Sequence, residues 1–97
     1  MAYKIEFSAM AEMKMDEIAD YLRRNDYDKE ILTKIKREIV EKLSENPHAW
    51  KLAENIPAHL EDVRQVQILK KNIVYYKVLP GKVTILTIRA GRMTAEF

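Results

Sequence analysis

Four basic residues in the second half of the chain could define a site. Arg64 opens a strand-like run, Lys77 lies within the next one, and Arg89 and Arg92 stand either side of Ala90-Gly91 near the end. A guanidinium presents a planar fork of N–H donors that binds phosphate or carboxylate bidentately, and an ammonium acts as a compact point charge. Tyr75 and Tyr76 directly precede Lys77. A tyrosine beside such cations can stack on a base or anchor a protein interface, and strand alternation sends only one of the two away from the core. The charge is also unevenly placed. From Lys70 onward six basic residues meet one acid, Glu96, a net of +5, whereas residues 1–69 carry 11 basic and 14 acidic residues, a net of −3. A near-neutral chain with its positive charge at one end of the sequence suits an anionic partner, either nucleic acid or an acidic protein surface.

Other chemistries find less support. His48 and His59 both fall in a proline-flanked loop without His-x-x-x-His or His-x-x-Glu spacing, so they read as surface residues and no metal site is expected. The acidic residues of the helical segments alternate with lysines at helical spacing, the pattern of a solvated face rather than of a catalytic carboxylate pair. Met10, Met13 and Met15 read as core filling. The chain has no cysteine, which excludes a disulfide scaffold and a thiolate metal site. Neither Gly81 nor Gly91 sits in a phosphate-cradling loop, and no cofactor is implied. The N-terminus alternates instead of forming an apolar leader, and no apolar run approaches membrane-spanning length. A single soluble, cytoplasmic domain over residues 1–97, with no membrane partner, is expected.

The scaffold for these side chains can be read from periodicity. Tyr3, Ile5 and Phe7 fall on one face of a short strand, and Ser8 is placed to cap a helix running to about Arg24 with Ala11, Met15, Ile18, Ala19 and Leu22 as its apolar stripe. Asn25–Asp28 is a polar connection in which Asp26 or Asp28 caps a second helix, with Ile31, Leu32, Ile35, Ile39 and Leu43 on one side. Asn46-Pro47 ends that helix. Pro47 and Pro57 bracket a loop in which Trp50 tucks under the helices. Asp62–Leu69 is extended, Lys70-Lys71-Asn72 turns, and two β-rich runs flank the Pro80-Gly81 turn of a hairpin. Arg89–Met93 then leaves the last strand. The order β-α-α-β-β-β predicts an α+β two-layer fold, with a helical hairpin on one face of an antiparallel C-terminal sheet and the basic residues on the other. Arg64 shares parity with Val66 and Ile68, so placing it on the basic face requires a bulge or a position just before the regular strand.

The whole length resembles the RelE/ParE toxin superfamily of bacterial type II toxin–antitoxin systems. The resemblance is carried by Tyr3–Ser8, by Asp16–Leu22, by Leu43-Ser44-Glu45-Asn46-Pro47, by Val63-Arg64, and by Ile73–Val78 followed by Ile85–Met93. It implies the same β-α-α-β-β-β fold and a cognate antitoxin as partner. RelE-like members cleave mRNA on the ribosome, and such metal-free cleavage needs a base, an acid and cationic stabilisation of the phosphorane. On that alternative Arg64, Lys77, Arg89 and Arg92 would supply the cations of a ribosome-dependent endoribonuclease. ParE-like members poison DNA gyrase by binding. This sequence departs from the RelE pattern: Asn72 stands where RelE has an arginine, the second strand offers Gln65 and Gln67 instead of lysines, and the C-terminal aromatic, Phe97, has no hydroxyl. The short ending and Tyr75-Tyr76-Lys77 are similar to ParE. The resemblance therefore implies a ParE-like, non-catalytic toxin that contacts gyrase through Arg64, Tyr75, Lys77, Arg89, Arg92 and Phe97.

Overall fold

The computed structural model describes residues 2–25, 30–91 and 95–97. Arg92 and the expected caps Asp26 and Asp28 lie outside the described residues. Strand β1 (Lys4–Phe7) leads into helix α1 (Ala9–Arg24), followed by α2 (Glu30–Leu43) and strands β2 (Val63–Ile68), β3 (Asn72–Leu79) and β4 (Lys82–Ala90). Ser8 caps α1 as its sequence position suggests. Its backbone is extended, and its hydroxyl accepts from the Ala11 N–H at 3.0 Å and donates to the Leu86 carbonyl at 2.7 Å. Glu12 in the first turn and Arg23 and Arg24 in the last complement the helix dipole.

The sheet order is β1-β4-β3-β2, with β2, β3 and β4 antiparallel as expected. The sheet is nevertheless mixed, because β1 joins its far edge parallel to β4, from Lys4 opposite Lys82 to Phe7 opposite Ile85. Tyr75 pairs with Thr87 and Tyr76 with Ile85, which leaves Leu86 as an extra residue in β4. This bulge changes the parity of β4, so Val83 and Ile85 face the core before it and Ile88 after it. The Leu86 carbonyl is the group that accepts from Ser8, so the helix cap and the bulge satisfy one another.

Both helices pack on one sheet face. Ala11, Met15, Ile35, Ile39 and Leu43 form a single cluster with Val66, Ile68, Val74, Tyr76, Val83, Ile85 and Ile88. A 3-10 turn at Pro47–Ala49 follows α2, and half-buried Trp50 packs against the cluster while its indole N–H donates to the Lys42 carbonyl at 3.3 Å. Lys51–Ala53 then runs along the outer edge of β2. The Gln65 N–H donates to the Lys51 carbonyl at 3.0 Å and the Ala53 N–H to the Val63 carbonyl at 2.8 Å, so this edge is covered over part of its length.

The β2–β3 turn begins at Leu69, one residue earlier than expected, and Asn72 belongs to β3. Leu69 and Lys70 both adopt positive φ, 50° and 65°, which is unfavourable for side chains of this kind. The Glu38 carboxylate holds the turn by accepting from the Leu69 N–H at 2.6 Å. Lys70→Gly is expected to raise stability by up to about 1 kcal/mol and the melting temperature by a few degrees, since glycine adopts this conformation without a Cβ clash. Thermal unfolding checks this, and a lower melting temperature would show that the Lys70 side chain contributes more than its backbone conformation costs.

Candidate functional site

The two faces of the sheet divide the residues that the sequence groups together. In β3, Val74 and Tyr76 point into the helix-covered core, so Tyr75 and Lys77 point to the open face. Cross-strand pairing puts Thr87 and Arg89 of β4 on the same open face, opposite Tyr75 and Ile73. Arg89 lies within β4 rather than after it, because the Leu86 bulge lets the strand continue to Ala90. Its Nε donates to the Tyr75 hydroxyl at 2.9 Å, and its Nη1 to the Gly91 carbonyl at 2.7 Å. Phe97 meets the Tyr75 ring edge-on, with centroids 5.1 Å apart. The structure thus brings Tyr75, Arg89 and Phe97 together, with half-buried Lys77 further along the same face.

Arg64 is elsewhere. It pairs with Tyr76 in unbroken register, so neither a bulge in β2 nor a position before the strand moves it off the helix side. Its Nη1 donates to the Trp50 carbonyl at 2.6 Å, which gives a charged side chain a place at the rim of the apolar layer. Tyr76 beside it is fully buried, and its hydroxyl donates to the Pro47 carbonyl at 2.6 Å. Burial pushes the Tyr76 phenol up to about 12, against a smaller opposing pull from the Arg64 charge.

One residue of this region was not singled out by sequence. Lys14 is 7% exposed, with its Nζ 3.1 Å from Glu96 and 3.3 Å from Glu17. The hydrogen bond it donates to Glu96 is the main influence raising its pKa, against desolvation, which lowers it. The signal was available, since Lys14 stands three residues after Ala11 and four before Ile18 on the apolar stripe of α1. His48 and His59 are exposed, and His48 meets the Tyr3 ring edge-on with centroids 6.2 Å apart. The open face therefore offers the half-buried cations Lys77 and Arg89 and the Phe97 ring, which suits recognition of an acidic or aromatic surface. Tyr75, expected to contact a partner, is instead buried beneath Phe97 at 4% exposure and orients Arg89.

The fold is shared with chains from two toxin–antitoxin structures. Against the toxin–antitoxin complex RelBE2 from Mycobacterium tuberculosis the TM-score is 0.68 at 15% identity, covering 93% of this chain and 92% of that one. Against the chromosomal ParDE toxin–antitoxin system from P. aeruginosa it is 0.64 at 17% identity, covering 93% and 97%. The sequence also matches, over residues 5–95, the model for the ParE toxin of the type II toxin–antitoxin system parDE, and the chain belongs to that family. No curated protein sequence matches it.

Proposed function

We propose that this ParE-family toxin arrests growth by binding and poisoning DNA gyrase in the cytoplasm, without catalysing a reaction, and that a cognate antitoxin neutralises it. The observation that carries this reading is the division of the cations between two sheet faces. Stabilising a phosphorane requires cations converging on one phosphate. Arg64 is engaged with Trp50 on the helix side, whereas Arg89 and Lys77 lie on the open face. Phe97 occupies the space beside Tyr75 with a ring that has no proton to transfer. A binding toxin needs no such convergence; it needs an accessible surface with aromatic and guanidinium groups of the kind that dominate protein interfaces.

The test is to add the purified chain to gyrase supercoiling relaxed DNA and, separately, to ribosomes programmed with mRNA. Inhibited supercoiling or trapped, cleaved DNA is the expected result, with the mRNA left intact. Specific cleavage of mRNA in the ribosomal A site by the wild-type chain would overturn the proposal in favour of a ribosome-dependent endoribonuclease. The antitoxin is expected to be encoded beside the toxin, to co-purify with it and to restore growth. Its toxin-contacting part is expected to be acidic where it meets Lys77 and Arg89.

A further inference from the structure

The C-terminal residues return to the sheet instead of trailing from it. Phe97 sets its ring at 72° to that of Tyr75, and one residue earlier the Glu96 carboxylate meets Lys14 Nζ at 3.1 Å. Both groups that receive the tail are withdrawn from water, Lys14 at 7% exposure and Tyr75 at 4%. Directly across the strand pair from Tyr75 stands Thr87, fully buried, whose hydroxyl has no hydrogen-bond partner among the described residues. A buried ammonium, an aromatic ring and an unanswered hydroxyl thus lie around the place where the tail docks.

We propose that Lys14, Tyr75 and Thr87 form a seat for a peptide carrying a carboxylate next to an aromatic side chain, and that the chain's own Glu96–Phe97 fills this seat in the free protein. A segment of a protein partner with the same pair of groups displaces the tail. That a partner does so rests on the toxin–antitoxin reading; the seat itself stands on the contacts above.

A carboxylate, rather than a phosphate, suits Lys14. Glu17 lies 3.3 Å from the same ammonium and already supplies one negative charge, so a dianion would meet repulsion that a single carboxylate meets less. The aromatic half of the seat is satisfied by a ring approaching Tyr75 edge-on, as Phe97 does. The tail is also an imperfect occupant. The Phe97 ring has no polar atom for the Thr87 hydroxyl, and a segment presenting an amide or hydroxyl there makes a bond the tail leaves unmade. One ion pair to an exposed carboxylate and one aromatic pair together favour the docked tail by about tenfold, weak enough for a partner to exchange it.

The experiment uses the full chain, 15N-labelled, as wild type and as a Glu96→Ala/Phe97→Ala variant. The probe is an acetylated synthetic peptide with the sequence of residues 94–97. In the variant, the amide signals of Lys14, Tyr75 and Thr87 are expected to shift and saturate as the peptide is added. The wild type is expected to bind about tenfold more weakly, because its own tail competes. Adding Lys14→Met to the variant is expected to weaken the peptide's binding relative to the variant alone, because the carboxylate loses its ammonium partner. A dispersed spectrum establishes that each variant is folded. Equal affinity for wild type and variant, shifts confined to other residues, or no shift at all would each overturn the proposal. Wild-type spectra that change with protein concentration would place the tail in a second copy and overturn filling within one chain. Growth arrest is not read, so a failure here is distinct from a failure of the toxin reading.

Discussion

Replacing Arg89 with alanine is expected to abolish growth arrest in an induced culture while lowering stability by no more than about 1 kcal/mol. The guanidinium is half-buried and spends Nε on the Tyr75 hydroxyl and Nη1 on the Gly91 carbonyl. Those bonds hold the fork in place on the open face but contribute little to folding, because the exposed Gly91 carbonyl turns to water and truncating the side chain opens a path for water to the Tyr75 hydroxyl. An interface anchored by a positioned arginine loses about 30-fold or more in affinity when that arginine is truncated. Arg89→Lys keeps the charge and loses the planar fork, so it is expected to restore only a small part of the activity. Tyr75→Phe removes the hydroxyl that orients Nε and is expected to give an intermediate loss. Colony counts on induction, with melting temperatures measured in parallel, check all three. An Arg89→Ala chain that folds and kills at the wild-type level would put the functional surface elsewhere.

The parts of this molecule legible in sequence were those governed by local periodicity. The Ser8 cap, both helical stripes, the Pro80-Gly81 turn and the antiparallel order of the last three strands each follow from residues close together in the chain. What escaped depends on distant partners. A four-residue strand such as β1 can pair on either side and in either direction, and its parallel union with β4 depends on how α1 and α2 pack. The bulge at Leu86 carries no glycine to announce it, and its carbonyl is satisfied by Ser8, 78 residues away in sequence. That single extra residue keeps Arg89 inside the strand and on the same face as Tyr75. Parity alone did place Arg64 correctly on the apolar side. The expectation that a charged residue must escape that side was the error, because the Trp50 carbonyl gives it a partner there. The tail shows the opposite failure: chain ends are expected to fray, but Glu96 and Phe97 find Lys14 and Tyr75.

Arg64 and Tyr76 are expected to act through folding, and their substitutions should produce the largest losses of stability described here. The two residues face each other across β2 and β3 and hold opposite ends of one segment, Tyr76 through the Pro47 carbonyl and Arg64 through the Trp50 carbonyl. Tyr76→Ala removes a fully buried ring from the core cluster and is expected to cost about 3–5 kcal/mol, enough to unfold much of the population of a domain of this size. Tyr76→Phe keeps the ring but strands the Pro47 carbonyl, at about 1–2 kcal/mol. Arg64→Ala is expected to cost about 1.5–3 kcal/mol, as a charge-assisted bond to a partly buried carbonyl is lost. Alkali provides an independent check. The Tyr76 phenol ionises near 12 in the folded chain and near 10 when unfolded, so its neutral form favours folding. That contribution is complete below pH 10 and is lost as pH rises towards 12, about 2–3 kcal/mol in all, and Tyr76→Phe should remove this part of the alkaline transition. Toxicity of Arg64→Ala should follow its folded fraction and return when cells are induced at low temperature. If the variant instead melts like the wild type and stays harmless at every temperature, Arg64 contacts the target directly, and the helix side of the sheet rim belongs to the functional surface.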